Sequence, residues 1–379
     1  MSSAGETSEN LPSVRIIGSG ENLWSMSPTE RLSRMFARIG ITDVAPWNGV
    51  LPSSGECILV SGQHVYAQVL LSDLVARPGT LLTADGRPVA AHCTTDLGAK
   101  VAEGIAAGSL SDTHGLTALE PGQLSSGYNE KLRKYEAPYV TLVTPDSVDA
   151  IEKQTFAGSY KGVTDFVTLY LWPKPALAVT RFCARLKISP NTVTSASLVL
   201  VLMAMWLFWN GHFLTGLVCA WLMTFLDTVD GKLARVTVTS TKWGNVYDHG
   251  IDLVHPPFWY WAWFVGVATG SGADTNEVLE IALWITIIGY VLQRVQEGIF
   301  IAKFKMEMHV WRKFDSIYRL YVARRNPNLA ILTLLASVGL PGEGLVLVAV
   351  WTAISLVVHT IQILQAFQAD LPLKSWLDR

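Results

Sequence analysis

The chain has 379 residues, of which half are hydrophobic and 16% are charged, and its formal net charge is −2. Its mean hydropathy is +0.31 and it contains 14 tryptophans. So apolar a composition excludes an ordinary soluble protein and indicates a membrane enzyme or transporter with a soluble part. The four cysteines are scattered without a CxxC pair, which argues against a disulfide framework or a zinc site. No nucleic-acid partner is predicted.

The first half of the chain alternates short strand and helix patterns. Residues 1–13 are polar, without the basic and apolar regions of a signal peptide, and are expected to form a disordered tail. Within residues 14–165, "VRIIG" and "ECILVSG" predict strands, and "SPTERLSRMFARIG" and "AQVLLSDLVARPG" predict helices. Ser27 and Glu30 predict a capping box for the first helix, and Gly79 is expected to close the second. This pattern favours a soluble cytoplasmic α/β domain with a parallel sheet.

A basic amphipathic segment is predicted between the two halves, at residues 166–188. Phe182 and Leu186 are apolar and are interleaved with Arg181 and Arg185. Such a helix is typical of a segment that lies on the cytoplasmic leaflet, although a plain linker helix is the alternative.

The last part of the chain, residues 189–370, carries the predicted membrane spans. Lysine and arginine are absent from the first, third and fifth connections between its apolar stretches and abundant in the second and fourth. By the positive-inside rule, both termini and the two basic connections are cytoplasmic, in a cell inner membrane. We therefore predict a polytopic α-helical protein with six transmembrane helices. The apolar stretches are 192–209, 213–226, 251–270, 279–302, 329–340 and 343–361.

Four aspartates stand at the cytoplasmic ends of the second and third predicted spans. Asp227 and Asp230 are three residues apart, and Asp248 and Asp252 are four apart, so each pair shares one face of its helix. Four carboxylates in a poorly hydrated site need cations to remain ionised. Oxygen ligands suit Mg²⁺ or Mn²⁺, and two such ions could clamp a diphosphate.

Small residues are interleaved with these acids. Gly231 follows Asp230 directly, Gly244 precedes Asp248 by one turn, and Ala234 continues the small face. They would let a ligand approach the helix backbone. A helix-packing seam is the alternative explanation, because small residues serve that purpose in membranes too.

The spacing of these residues resembles the signature of the CDP-alcohol phosphatidyltransferases. The segment "ISPNTVT" is also similar to the sequence that usually precedes the first membrane span of that family. The resemblance covers roughly residues 160–365. It implies six membrane helices, commonly in a homodimer, and a reaction in which an acceptor hydroxyl displaces CMP from a CDP-alcohol during phospholipid or related synthesis. The matching pattern is Asp227-x-x-Asp230-Gly231-x-x-Ala234-Arg235, eight residues, then Gly244-x-x-x-Asp248-x-x-x-Asp252.

The resemblance implies a role for each acid. Asp227, Asp230 and Asp248 would hold the metal ions that bind the CDP diphosphate. Asp252 would border the same metal site and act as the general base that accepts the proton of the acceptor hydroxyl. Nearby cations normally lower the pKa of a carboxyl group, which suits a base that must be ionised at neutral pH.

The resemblance also implies a substrate pocket, in which Gly231, Ala234 and Gly244 shape the cytidine and ribose site and Arg235 lies near a phosphate. One of the two substrates is expected to be a lipid.

Arginines elsewhere in the helical part are candidates for the acceptor site. Arg294 lies within a predicted span, where a charged side chain usually indicates a functional site. The alternative, nearly as well supported, is that Arg294 pairs with Glu297 and stabilises the helix bundle. Arg324 and Arg325 precede the fifth span and could grip a phosphate, or merely anchor the helix end. Lys161 and Asp165 could reach the mouth of the site.

Residues 14–165 resemble the sugar-phosphate nucleotidyltransferases. The metal-binding acid of that family is replaced by Ser61-Gly62-Gln63-His64, and its lysine-bearing loop is absent. We therefore expect this domain to be an inactive cytidylyltransferase with a scaffolding, dimerising or covering role. The arrangement resembles fused inositol-phosphate cytidylyltransferase and di-inositol-phosphate synthase proteins.

Three other functions fit parts of the sequence. A divalent-cation transporter would use the aspartates as ion ligands but would not need the Gly-x-x-Ala-Arg insert. A membrane prenyltransferase would need a second Asp-rich loop. A nucleotide-binding module on a membrane anchor would keep CTP binding in residues 1–165.

Overall fold

The computed structural model describes residues 11–51, 55–129, 132–269 and 273–377. The chain forms two compact units. The first unit comprises Met1–Asn129, Tyr135–Ser159 and Val236–Thr239, and the second comprises Glu130–Lys134, Tyr160–Arg235 and Ser240–Arg379. Most of the predicted tail, residues 1–10, lies outside the described residues, and the first strand begins at Ser13.

The N-terminal part of the chain is an α/β fold, as the sequence predicts. Its helices are α1 (Pro28–Ala37), α2 (Gln68–Val75), α3 (Thr95–Ala107), α4 (Pro121–Leu124) and α5 (Val148–Gly158). Its strands are β1 (Ser13–Ile17), β2 (Val44–Pro46), β3 (Glu56–Ser61), β4 (His64–Tyr66), β5 (Thr80–Ala84), β6 (Arg87–Thr94), β7 (Thr117–Leu119), β8 (Tyr128–Asn129), β9 (Lys134–Tyr135) and β10 (Val140–Leu142).

The main sheet is mixed, so the expectation of a parallel sheet is wrong. Its strand order is β2-β1-β3-β6-β5-β7, and β6 runs antiparallel to both β3 and β5. The reason is local: Asp85 and Gly86 both have positive φ and close a two-residue hairpin between β5 and β6. Asp-Gly is a strong signal for such a turn.

The predicted helices of this unit form with small differences at their ends. Ser27 caps α1 by accepting a hydrogen bond from Glu30 N at 3.2 Å. The side chain of Glu30 pairs with Arg34 at 2.6 Å. Helix α2 ends at Val75, and Gly79, with φ of +76°, lies in the turn before β5 rather than at the end of the helix.

The second unit is helical. A single π-helical turn at Val167–Leu171 precedes α6 (Pro173–Arg185), which is the predicted amphipathic segment, and the side chains of Phe182 and Leu186 are exposed. The remaining helices are α7 (Pro190–Trp209), α8 (Phe213–Val236), α9 (Lys242–Ala268), α10 (Ala273–Phe304), a 3₁₀ turn at Met308–Val310, α11 (Lys313–Tyr318), α12 (Arg325–Ser337) and α13 (Pro341–Gln368).

Six helices follow the predicted spans, but only four of those described are long and apolar enough to cross a membrane. These four are α7, α8, α10 and α13. Helix α12 has 13 residues, which is about 20 Å and shorter than a hydrocarbon core. Helix α9 is long, but Asp248 and Asp252 lie in its first half. Four of the six predicted spans therefore have described helices that are long and apolar enough to cross a membrane, and the other two stay predictions.

Aromatic side chains hold the helices together far from the acids. Trp263 on α9 is fully buried, its ring centre lies 4.9 Å from that of Phe208 on α7, and its Nε1 donates to Pro341 O on α13 at 2.9 Å. Gly266 on α9 approaches the end of α7 so closely that a Cβ would overlap Phe208 O. This packing fixes the register of α7 and α9, whose opposite ends flank the aspartates.

Candidate active site

Helices α8 and α9 bring three of the predicted metal ligands together. One carboxylate oxygen from each of Asp227, Asp230 and Asp248 lies within 4.8 Å of the other two. Asp227 and Asp230 share a face of α8, as their spacing predicts, and Asp248 faces them from α9. A divalent cation needs oxygen ligands that converge in this way.

Asp230 is the most buried of these acids, with 3% of its surface exposed. Its Oδ2 accepts a hydrogen bond from Thr194 Oγ1 on α7. Its Oδ1 is buried and has no hydrogen-bond partner among the described residues. Buried carboxylate oxygens are normally satisfied, so an unpartnered one that faces two further carboxylates fits a cation ligand.

The fourth aspartate joins the group through an arginine. Arg325, the first residue of α12, donates through Nη2 to Asp227 Oδ2 at 2.5 Å and through Nη1 to Asp252 Oδ1. The side chain of Asp252 is 39% exposed, against 17% for that of Asp227. Asp252 is thus the more accessible of these two carboxylates, which suits a group that must meet a substrate.

The backbone around Asp252 is adapted to two prolines. Pro256 and Pro257 lie inside α9 and have no N–H group, so the carbonyl groups four residues earlier lose their helical partners. Tyr290 Oη on α10 donates to these carbonyls instead, at 3.0 Å to Leu253 O and 3.4 Å to Asp252 O. Tyr290 therefore helps to hold the catalytic candidate in place.

The glycines of the motif are sites of close approach. A Cβ on Gly244 would lie 2.9 Å from Asn191 Oδ1, at the start of α7. A Cβ on Gly231 would lie 3.0 Å from Arg235 Nη2, because the Arg235 side chain lies over this position. Gly244 thus serves the packing of α9 on α7, while Gly231 leaves room for a guanidinium beside the aspartates.

Arg294 and Arg324 lie together in a second charged group. Both donate to Glu297 Oε1, Arg294 from 2.8 Å, and His309 Nε2 lies 3.2 Å from the same atom. The fully buried His359 packs against His309, and neither of its ring nitrogens has a hydrogen-bond partner in the described part of the chain. The Arg294–Glu297 pair that the sequence suggests is therefore present.

Sequence reasoning missed three residues of the site. Thr194 belongs to the "ISPNTVT" segment, and a hydroxyl at that place was a usable signal. Lys232 is 4% exposed on α8, with its Nζ 3.7 Å from the centre of the Tyr160 ring. Lys232 lies among the motif residues, and this position was a signal that it belongs to the site. A buried lysine needs a specific partner, which here is the Tyr160 ring. Tyr290 carried no local signal.

The fold and the site define a helical membrane protein that carries a carboxylate cluster suited to divalent cations. Residues 187–358 match the family model described as CDP-alcohol phosphatidyltransferase. The match agrees with the resemblance that the motif predicts, and all four aspartates lie within the matched residues.

Similar proteins include two lipid-synthesis enzymes. The chain is 36% identical over 72 residues to ethanolaminephosphotransferase 1 of Pongo abelii, and this match covers 18% of this chain and 17% of that protein. It is 29% identical over 130 residues to phosphatidylinositol phosphate synthase of Streptomyces avermitilis, covering 34% of this chain and 50% of that protein. The chain thus spans half or less of the length of these curated relatives.

A solved structure of Mycobacterium tuberculosis phosphatidylinositol phosphate synthase with CDP-DAG bound is also similar. It is 20% identical, and the match covers 50% of this chain and 94% of that one with a TM-score of 0.41. Another structure of the same protein contains manganese and citrate, with a TM-score of 0.41, 20% identity and coverage of 50% and 88%.

Proposed function

We propose that the protein transfers a substituted phosphate group from a CDP-alcohol to an acceptor hydroxyl and releases CMP, in the synthesis of a phospholipid or a related phosphodiester. The observation that carries the proposal is the convergence of Asp227, Asp230 and Asp248, within a domain of the CDP-alcohol phosphatidyltransferase family. One of the two substrates is a lipid, because the site is built at the ends of membrane helices.

The acid cluster fits Mg²⁺ or Mn²⁺. Its donors are carboxylate oxygens, which these ions prefer, and Asp230 Oδ1 is buried and without a partner among the described residues. Asp227, Asp230 and Asp248 would hold two ions, with Asp252 at the border of the site. Bound there, the ions would neutralise charge on the diphosphate of the donor.

Asp252 would act as the general base. It accepts the proton of the acceptor hydroxyl, while the acceptor oxygen forms a bond to the phosphorus that carries the alcohol group. The phosphoanhydride bond breaks, and its electron pair leaves on CMP. Arg325 holds the Asp252 carboxylate in one orientation, and Tyr290 supports the backbone beneath it.

The other motif residues would shape the donor pocket. Gly231, Ala234 and Gly244 would border the cytidine and ribose, and Arg235 would lie near a phosphate. Arg325, placed between two aspartates, is positioned to meet the acceptor next to the base. Arg294 and Arg324 would steady this region through Glu297.

The assembly and location follow the same proposal. We place the enzyme in a cell inner membrane as a homodimer, with both termini and the active site cytoplasmic, and with six helices in or at the membrane. The N-terminal α/β domain would have no cytidylyltransferase activity of its own. Release of pyrophosphate from CTP and a phosphorylated alcohol by the full-length protein would contradict this last assignment.

The test is Mg²⁺-dependent CMP release by the purified full-length protein. CDP-diacylglycerol and soluble CDP-alcohols are each offered with a panel of polar and lipid acceptors. We expect CMP from one donor–acceptor pair, and its loss in Asp252→Asn while the variant still binds the nucleotide. If no pair yields CMP and CDP-compounds do not bind, the proposal fails and an ion-transport role replaces it.

A further inference from the structure

A short segment from the first half of the sequence packs within the helical unit. This segment, the strap, comprises residues 132–134. Leu132 O accepts a hydrogen bond from Gly162 N at 2.8 Å, and Arg133 Nη1 donates to Val163 O at 3.4 Å. A Cβ at position 162 would overlap Arg133 O, so glycine is required for this contact. The strap thus carries the Arg133 side chain into the helical unit.

Through Arg133, the strap adds a guanidinium group to other buried or partly buried cationic side chains of the helical unit. Arg319 is 9% exposed, and its Nε and Nη1 have no hydrogen-bond partner among the described residues. The Nε of Arg133 is likewise buried and unpartnered within the described part of the chain. The partly buried Lys161 lies within electrostatic reach of both arginines and of Arg235. We name Arg133, Lys161 and Arg319 the basic cluster, and leave out Arg235 because it lies beside the aspartates of the active site.

Three carboxylates lie near the basic cluster. Glu307 pairs with Arg133. Asp165, near Arg319, accepts hydrogen bonds from Asn326 Nδ2 at 2.9 Å and from the Thr168 hydroxyl at 2.9 Å. Glu297, which also faces Arg319, already binds Arg294 and Arg324. Five cations, those of the basic cluster with Arg294 and Arg324, face these three carboxylates. Positive charge is therefore in excess here, and buried unpaired charge is costly.

The protonation of Lys161 reflects the same excess. Burial, followed by the charges of Arg133 and Arg235, lowers the pKa of Lys161 to about 8, and Glu307 opposes this shift only in part. An anion bound beside Lys161 would relieve the repulsion.

We propose that Arg133, Lys161 and Arg319 form a subsite for the phosphomonoester group of a water-soluble acceptor alcohol. The inference rests on the proposed function and deepens it by naming the class of acceptor. A phosphomonoester is a compact dianion, which matches both the excess charge and the forked donors of two guanidinium groups. All three residues lie outside the four helices that could span a membrane, as a site for a water-soluble ligand requires.

Two of the three subsite residues lie outside the matched domain. Arg133 and Lys161 both lie outside residues 187–358, the part that matches the family model. The strap would therefore determine acceptor specificity, by adding an anion requirement to a reaction whose metal site and base lie within the domain.

The test is equilibrium binding of radiolabelled inorganic phosphate to the full-length protein in phosphatidylcholine nanodiscs. EDTA is present, so that metal-held phosphate does not contribute. We expect one saturable site at pH 7, and a rise in Kd of roughly tenfold in Arg133→Ala and in Lys161→Met, since each loses one charge-assisted interaction. Arg133→Lys should lose less. Lys174→Ala, which removes an exposed lysine from α6, should bind like the wild type.

Two results would overturn the subsite. One is phosphate binding that does not change in either Arg133→Ala or Lys161→Met. The other is displacement by phosphatidic acid in the disc but not by soluble phosphomonoesters, which would assign the cluster to a lipid headgroup.

CMP release on the same samples separates this inference from the proposed function. Phosphate binding that depends on Arg133, without CMP release from any donor, would contradict the proposed function and support the subsite. CMP release to an unphosphorylated acceptor, equal in the wild type and in Arg133→Ala, would keep the function and remove the subsite.

Discussion

Two groups of side chains in the helical unit meet the same geometric condition and differ in their charge. Asp227, Asp230 and Asp248 offer three ligand atoms within 4.8 Å of one another, and so do Glu297, His309 and His359. The first group is joined by a fourth aspartate and one arginine. The second has one carboxylate, to which two arginines donate.

The balance of charge decides what each group can hold. Four carboxylates against Arg325 and Arg235 leave a surplus of negative charge that a divalent cation would neutralise. Around Glu297, two guanidinium groups already exceed the single carboxylate, so a cation would add repulsion. Converging ligand atoms are therefore an insufficient criterion for a metal site, and the second group is better described as a buried ion-paired network.

The largest expected effect tests the first group. Asp230→Asn keeps the shape of the side chain but removes a buried charge from the metal ligands. We expect CMP release to fall on the order of a thousandfold, as for the loss of a major electrostatic contact in a transition state. Mn²⁺ binding, followed by electron paramagnetic resonance, should weaken in parallel. The exposed Asp370→Asn is the control, and unchanged activity in Asp230→Asn would remove the metal assignment.

The second group should respond in stability rather than in metal binding. Glu297→Gln leaves Arg294 and Arg324 without their shared carboxylate, and breaking a buried pair in this way costs about 3–5 kcal/mol. Thermal unfolding in detergent should show the loss, while Mn²⁺ affinity stays that of the wild type. Glu343→Gln, at an exposed position on α13, should change neither. If Glu297→Gln lowers Mn²⁺ affinity and leaves thermal stability unchanged, the second group is a metal site and not an ion-paired network.

A hydrogen bond to the first group should have a smaller effect. Thr194→Val removes the hydroxyl that donates to Asp230 Oδ2 and keeps the shape of the side chain. Residues that orient a metal ligand typically contribute tenfold to a hundredfold in metal affinity, and we expect about tenfold here. Thr286→Val is a matched control, because Thr286 is buried and donates to Ala282 O in its own helix. Equal Mn²⁺ affinities in both variants would show that Thr194 does not orient Asp230.

The sequence predicted the aspartate cluster because its geometry is local. Spacings of three and four residues put each pair on one face, and a short connection brings the two helices side by side. The partner of Asp227 and Asp252 was not predictable, since Arg325 lies 98 and 73 residues away along the chain and its place depends on the packing of α12.

The errors in the predicted fold also have local causes. The alternation of strands and helices suggested a parallel sheet, whereas the Asp85-Gly86 turn imposes an antiparallel pair. Apolar composition predicts a fifth span, which is not confirmed because α12 has only 13 residues. No local sequence pattern predicts the strap, because the position of Arg133 depends on its contacts with Gly162 and Val163.

The smallest expected effect concerns the basic cluster, whose surplus of charge is opposite to that of the aspartates. Sulfate is a suitable probe because it does not titrate near neutral pH. The pKa of Lys161 is lowered to about 8, so the side chain is charged below that pH and loses its proton above it, whereas the guanidinium groups stay charged. Sulfate affinity should thus be constant below pH 7 and fall as pH rises from 8 to 9.5, by less than about tenfold per unit. Lys161→Met should bind sulfate weakly and without this pH dependence. A wild-type affinity that does not change over this range would show that Lys161 does not face the anion.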